Sequence, residues 1–178
     1  VRETDPLVLY RDHPLMQAEG LGKNYGRLSA CRDVSFALYP GEVLAIDRSE
    51  ERLTLVRETV KRLGLSSVRT KALDAAGPLP PDTPLFDRIL VDAPCTGLGT
   101  LRRSPEIKWR LKSGDTKTLA KQQLAILRNL SKHLKADGVM VYSVCTVTDE
   151  EGPGVATELL RQAPGLRAEA PEDAARIA

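Results

Sequence analysis

The sequence predicts an α/β fold with a mainly parallel sheet, and three observations carry that expectation. From about residue 42 onward, short apolar runs and segments of helical period alternate as strand, helix, strand, strand, helix, strand, helix. That is the order of a chain winding back and forth across a parallel sheet. Three of the strands end on an aspartate: Asp47, Asp74 and Asp92. Two cysteine-bearing stretches, Asp92-Ala93-Pro94-Cys95 and Tyr142-Ser143-Val144-Cys145-Thr146, directly follow the apolar runs Ile89-Leu90-Val91 and Val139-Met140-Val141. Both thiols therefore fall just past strand ends, on the edge where open α/β sheets bind ligands.

Residues 1–14 show no period and read as an irregular lead-in. Leu15 to Glu19 reads as a short strand, and Gly20-Leu21-Gly22 as a turn. Val34, Phe36 and Leu38 alternate with polar or small residues, the pattern of a half-buried strand, and Tyr39-Pro40-Gly41 is a turn signal. Glu42 to Ile46 forms a strand ending at Asp47. Ser49 is positioned as an N-cap for a helix whose apolar residues are Leu53, Val56, Val60 and Leu63, with Gly64 closing it. Val68 to Leu73 is a short strand ending at Asp74, and the prolines at 78, 80, 81 and 84 mark a loop. Phe86 to Val91 delivers Asp92. Thr116 to Leu134 is a long amphipathic helix with Leu119, Gln123, Ile126, Leu127 and Leu130 on or near one face, ended by Ala136-Asp137-Gly138. Val139 to Tyr142 delivers Cys145. Asp149-Glu150-Glu151 favours a helix start electrostatically, but Gly152-Pro153-Gly154 moves the expected start to Val155. Ala163 to Ala178, rich in Ala, Pro and Glu, reads as poorly ordered.

Bulk composition narrows the function classes. The 178 residues suit one domain, with 42% hydrophobic and 28% charged residues, an ordinary soluble balance. No apolar run approaches the ~20 residues of a membrane span, and Val1-Arg2-Glu3-Thr4-Asp5 has no basic and apolar prelude of a secretory signal. A cytoplasmic chain with no membrane partner is expected. Three cysteines argue against a disulfide framework and fit a reducing compartment. Only His13 and His133 are present, and no Cys-x-x-Cys or His-x-x-x-His spacing occurs, which argues against a metal site.

Net charge is only +2 but is unevenly spread. Residues 102–135 hold ten Lys/Arg against Glu106 and Asp115, whereas the chain from Val147 is acidic. A basic block beside a reactive centre points to a polyanionic partner; a solvated helix face is the plainer alternative. A thiol is a good nucleophile only as thiolate, so the site needs positive charge or a proton acceptor nearby, and Asp92, Arg102 and Arg103 are the candidates. A lone strand-end aspartate is more often a helix cap or turn former; Asp47, Asp74 and Asp92 in succession point to a ligand. No P-loop and no G-x-G-x-x-G spacing is complete.

The stretch from Asp92 to Trp109 mixes acid, thiol, glycines and an arginine doublet. Its D-A-P-C-x-G-x-G-x-x-R-R-x-P pattern, with the later Y-S-x-C, resembles the catalytic core of the RsmB/Nop2/Sun-type RNA cytosine-5 methyltransferases. The resemblance extends back to about residue 45 and forward to about 151. It implies a Rossmann-like methyltransferase sheet and S-adenosylmethionine as cofactor, with RNA, of ribosomal type, as partner. It further implies that Cys145 attacks C6 of a cytosine, that Cys95 assists removal of the C5 proton and enzyme release, and that Asp92 contacts the base. Asp47 would hold the cofactor ribose, Asp74 its adenine end, and Asp92 would border the same pocket. Arg102, Arg103 and Lys108 would hold the RNA, and Trp109 is read as either a stacking or a core residue.

The chain departs from that family's pattern in lacking the C-A-A-P-G-G-K cofactor loop ahead of the strand ending at Asp47. The segment before it, Leu15 to Gly26 and Cys31 to Ile46, resembles instead the start of an ABC-type ATPase, closest to phosphonate-system members, and stops before a phosphate loop. The expected organisation is thus a chimera: residues 1–44 as an ABC-ATPase-like strand segment, and 45–178 as a truncated methyltransferase domain. Its sheet would be incomplete, without the first cofactor-binding strand and with extra N-terminal strands. The unpaired sheet edges suggest a homo-oligomer as one way to fill the gap. Two alternatives remain open beside the methyltransferase: a recombined α/β domain without activity, and a nucleotide-binding fragment of ATPase origin.

Overall fold

The computed structural model describes residues 41–169 in full and the backbone of 16–25 and 28–38. The chain divides into two compact units, Val1–Lys71 and Ala72–Ala178. In the first, β1 (Met16–Tyr25) and β2 (Leu28–Leu38) form an antiparallel pair, with Met16 opposite Leu38 and Tyr25 opposite Leu28. Gly20-Leu21-Gly22 is not the expected turn: it lies inside β1, where the register shifts between Ala18 and Leu21 and again between Leu21 and Lys23. Glycine within a strand marks a bulge as readily as a turn. Tyr39 and Pro40 of the expected turn lie outside the described residues.

β3 (Val43–Asp47), α1 (Glu50–Arg62) and β4 (Val68–Ala72) follow, with β3 paired to β4. The Ser49 hydroxyl accepts from Arg52 N at 3.3 Å, so the helix begins at the expected cap. Glu50 and Glu51 occupy the first turn and Lys61 and Arg62 the last, matching the helix dipole. Gly64, at φ +66°, takes the left-handed conformation that stops it. Leu53 is the buried anchor of α1.

The second unit holds β5 (Phe86–Asp92), a single 3-10 turn at Leu98–Thr100, α2 (Ile107–Arg110), α3 (Asp115–Ser131), β6 (Leu134–Ser143) and α4 (Pro153–Gln162). β5 and β6 are parallel and pair from Arg88↔Val139 to Asp92↔Ser143. One face of this pair closes on α3 and α4: Val91, Ala93, Ile126, Leu127, Leu130, Val155 and Leu159 form the core, with Ile89, Met140 and Tyr142 packed against it. The residues between them point the other way, as period two requires. Leu90, Val139 and Val141 are 74%, 38% and 52% exposed. The strands are apolar on both faces, as parallel strands are, but covered on one. Among the described residues the strands form three two-stranded pairs rather than one continuous sheet.

Two helix boundaries differ from expectation. Ala136-Asp137-Gly138 does not end α3, which stops at Ser131. It lies within β6, at a bulge where β6 runs from Leu134 to Val139 while β5 runs only from Phe86 to Arg88. A Cβ at Gly138 would stand 2.8 Å from the Leu134 side chain and 3.0 Å from Lys135 O, so the glycine serves the bulge and not a helix stop. α4 starts at Pro153 rather than Val155, because proline at the first helical position gives up an N–H that would have no partner there.

Leu127 has no solvent exposure, so Leu127→Ala should cost about 2–5 kcal/mol by lost transfer energy and cavity. Leu55→Ala, at a residue 64% exposed on α1, should change stability by no more than about 0.5 kcal/mol. Urea midpoints of the two variants check both.

Candidate active site

The parallel pairing of β5 and β6 sets two loops side by side. The ladder extends one bond further, Ala93 N donating to Ser143 O at 3.0 Å. Beyond it, Cys95 Sγ and Cys145 Sγ stand 3.2 Å apart. Cys145 is exposed and Cys95 half-buried. Two glycines make that approach feasible. Gly97 adopts φ +73°, where side chains are strained, and a Cβ there would also press on Ile107. Gly99 donates its N–H to Cys145 O at 3.1 Å, and a Cβ on it would lie 3.1 Å from that same oxygen. The G-x-G of the motif is thus one glycine for backbone conformation and one for close approach.

Each cysteine is followed by a threonine, and the two threonines meet as well: Thr96 Oγ1 and Thr146 Oγ1 are 3.0 Å apart. Beneath them lies Glu151, fully buried. Its Oε1 accepts from Thr96 N at 2.8 Å and Gln123 Nε2 at 3.2 Å. Its Oε2 accepts from the hydroxyls of Thr96 at 2.5 Å, Thr148 at 3.2 Å and Thr146 at 3.3 Å. Gln123 also donates to Pro94 O at 2.8 Å. The Tyr142 hydroxyl is shared between Gln123 Oε1, at 2.9 Å, and the Glu151 carbonyl oxygen. No buried side-chain nitrogen or oxygen among the described residues lacks a partner.

The two thiols differ in surroundings. Burial, and then the hydrogen bond with Cys145, push the Cys95 thiol above its ordinary range. Either sulfur can be the donor in the S–H···S contact. Burial foremost, then the negative charge of Glu151, push Tyr142 up to about 12.

The other expected site residues are spread over several elements. Asp92 closes β5 and is exposed. Asp74 Oδ1 accepts from Ala76 N at 2.9 Å, an Asx turn. That turn is tied to α3 by Asn129 Nδ2, which donates to Ala75 O and Gly77 O. Asp47, in the first unit, accepts from Ser49 N at 2.7 Å and from Arg52 at 3.5 Å. Both acids therefore form caps or turns, whatever else they do. Arg102, Arg103 and Lys108 are exposed and enter no salt bridge among the described residues. Trp109 is not core: it is 80% exposed, with Lys108 Nζ 4.9 Å from its ring centroid. A cleft of about 220 Å³ opens beside Cys95 and Thr96, walled by Ile107, Arg110, Asp115 and Leu119. Among the described residues no group of three or more His, Cys, Asp or Glu is placed to hold a metal ion, and no helix is long and apolar enough to cross a membrane.

Sequence reasoning missed Glu151 by reading it as a helix-opening acid, and passed over Thr96, Thr146 and Tyr142. Two signals were available: the repeated Cys-Thr pair, and Gln123 on an otherwise apolar helix face.

A model of the 16S rRNA methyltransferase RsmB/F family matches residues 36–174. The chain belongs to the RsmB/F family. The resemblance read from the two cysteine motifs is correct at that level, and the family match begins within β2, ahead of residue 45. Similar proteins include the probable ribosomal RNA small subunit methyltransferase B of Bacillus subtilis (strain 168), 38% identical over 126 residues, covering 70% of this chain and 28% of that one. The ribosomal RNA small subunit methyltransferase B of Thermus thermophilus is 39% identical over 128 residues, covering 72% and 31%. The chain thus spans less than a third of the length of these relatives. Among solved structures, NSun6 from Pyrococcus horikoshii with SFG superposes at a TM-score of 0.61 with 36% identity, covering 69% of this chain and 31% of that one. A methyltransferase homolog protein from the same organism gives 0.58 and 31%, covering 68% and 37%. This RsmB/F chain shares their α/β, Rossmann-like methyltransferase architecture.

Tyr142 prefers to stay protonated in the folded chain. Its contribution to stability is complete below pH 10, the ordinary tyrosine value, and is lost as pH rises toward 12. In a spectrophotometric titration of tyrosinate, the Tyr142→Phe variant should lack the most alkaline of the transitions.

Proposed function

We propose that this chain carries the catalytic part of an S-adenosylmethionine-dependent RNA cytosine-C5 methyltransferase acting on ribosomal RNA. The observation that carries the reading is the 3.2 Å approach of two thiols past the ends of paired parallel strands. Few structural purposes need two unbridged cysteines there, whereas adding to one end of a pyrimidine double bond and deprotonating the other needs two groups of this kind.

Cys145 Sγ, the more exposed thiol, adds as thiolate to C6 of the cytosine, and the electron pair moves toward C5 and N3. Asp92 contacts the base as that charge develops, a stabilisation weighted toward the transition state. The cofactor supplies the methyl group that C5 takes up. Loss of the C5 proton then re-forms the C5–C6 bond and expels Cys145 as thiolate. Cys95 takes that proton as thiolate, its own proton having gone to solvent beforehand; a thiol that burial holds above its ordinary range is, once deprotonated, the stronger base. The cleft of about 220 Å³ beside Cys95 would border a base withdrawn from its stack, which must also reach Cys145, 3.2 Å from Cys95.

The exposed carboxylates at strand ends fit the hydroxyl- and amine-bearing end of the cofactor. Asp92 and Asp74 would hold it, and the ribose role of Asp47 rests on the resemblance. The C-A-A-P-G-G-K loop has no counterpart in the sequence. Arg102, Arg103 and Lys108, exposed and outside salt bridges, suit phosphate contacts, and the open face of Trp109 suits stacking on an unpaired base, worth about 1–3 kcal/mol.

RNA carrying 5-fluorocytosine tests the scheme, because fluorine at C5 cannot leave as a proton. With S-adenosylmethionine the native chain should trap a denaturant-stable adduct. Cys145→Ala should trap none, and Cys95→Ala should still form it. No adduct with the native chain, or an equal yield from Cys145→Ala, overturns the reading. Replacing Arg102 and Arg103 together by alanine should flatten the dependence of log K on log salt by about 1–2 units without changing the adduct chemistry, as measured by RNA binding at several salt concentrations.

A further inference from the structure

The strongest unexplained feature of the site is a buried negative charge. Glu151 has no solvent exposure and no cationic partner among the described residues. A buried carboxylate without compensation costs several kcal/mol. Here the compensation is a ring of donors, aided by the α4 N-terminus two residues on, whose dipole favours negative charge. The donors are not drawn from one segment. Thr96 comes from the Cys95 loop, Thr146 and Thr148 from the Cys145 loop, and Gln123 from α3. A carboxylate accepts at both oxygens and donates at neither. It is therefore the one side chain of this size that satisfies five inward-pointing donors without presenting a competing one.

We propose that Glu151 is a positioning residue: a single buried carboxylate that fastens the Cys95 loop to the Cys145 loop and so sets the separation of the two thiols. This assignment deepens the methyltransferase reading and rests on it for its use, but not for its geometry. Neither sulfur touches Glu151. Each is held through the threonine that follows it, so the carboxylate acts one residue away from the chemistry on both sides. Gln123 adds the third anchor by bonding both Glu151 and Pro94 O, the residue before Cys95.

The test reads thiol separation directly and needs neither RNA nor cofactor. In the full chain with Cys31→Ser, diamide oxidises the Cys95 and Cys145 thiols to one disulfide. The two thiols give up two protons and two electrons, and the diazene is reduced to its hydrazine. The rate of this intramolecular closure, followed by thiol count and mass, reports how well the sulfurs are held together. Glu151→Gln, nearly the same shape but with one acceptor replaced by a donor, should slow closure at least tenfold. Glu151→Asp should fall between it and the parent. Alkylation of Cys145 by iodoacetamide should change less than twofold, which separates lost positioning from lost thiol reactivity. Closure by Glu151→Gln within twofold of the parent overturns the proposal. If circular dichroism shows that variant unfolded, Thr148→Val decides, since it removes one donor to Glu151 and leaves the direct Thr96–Thr146 contact in place: a threefold slowing supports the proposal and an unchanged rate overturns it. Failure of the fluorocytosine adduct in the native chain would sink the methyltransferase reading and leave this result standing.

Discussion

Everything at the site depends on the register of two parallel strands. With Asp92 beside Ser143, the chain leaves both strands at the same height, and Cys95 and Cys145 follow within three residues. A shift of one residue would turn every side chain of β6 to the opposite face, moving Met140 and Tyr142 out of the core and Val139 and Val141 into it. The register is held from the core side. Val91 and Ala93 of the first strand and its continuation pack with Ile126, Leu127 and Leu130 of α3 and with Val155 and Leu159 of α4. Helix burial and thiol placement are thus one fact seen from two sides.

The same helices carry the polar half of the arrangement. Gln123 interrupts the apolar face of α3 and is as fully buried as Leu127. Its amide is useful because it both donates, to Pro94 O and Glu151, and accepts, from Tyr142. A side chain unable to donate would leave Pro94 O without that bond. The network is complete, the condition under which polar groups in a core fix a geometry rather than weaken it.

Much of this was legible in the sequence. The strands ending at Asp47 and Asp92, the Ser49 cap, the Gly64 stop and the buried face of α3 all follow from local pattern, because local chemistry decides them. The two cysteine motifs carried the family. What escaped was non-local. Gly138 looked like a helix stop because glycine serves stops and bulges alike, and only the partner strand tells them apart. Glu151 looked like a helix-opening acid because its partners Thr96 and Gln123 lie 55 and 28 residues away. Trp109 was balanced between core and surface until its exposure was known. The aspartates at strand ends were visible from the start, but the backbone N–H groups that Asp47 and Asp74 accept from belong to turn geometry, which spacing does not reveal.

On the outer side of the β5–β6 pair Leu90, Val139 and Val141 meet water, so the pair is anchored from the helix side alone. The hydrogen bonds that join the two loops run through Glu151 and Gln123, on that same inner side. Apolar anchor and polar clasp thus share one face, and the other is left without a part in holding the sulfurs.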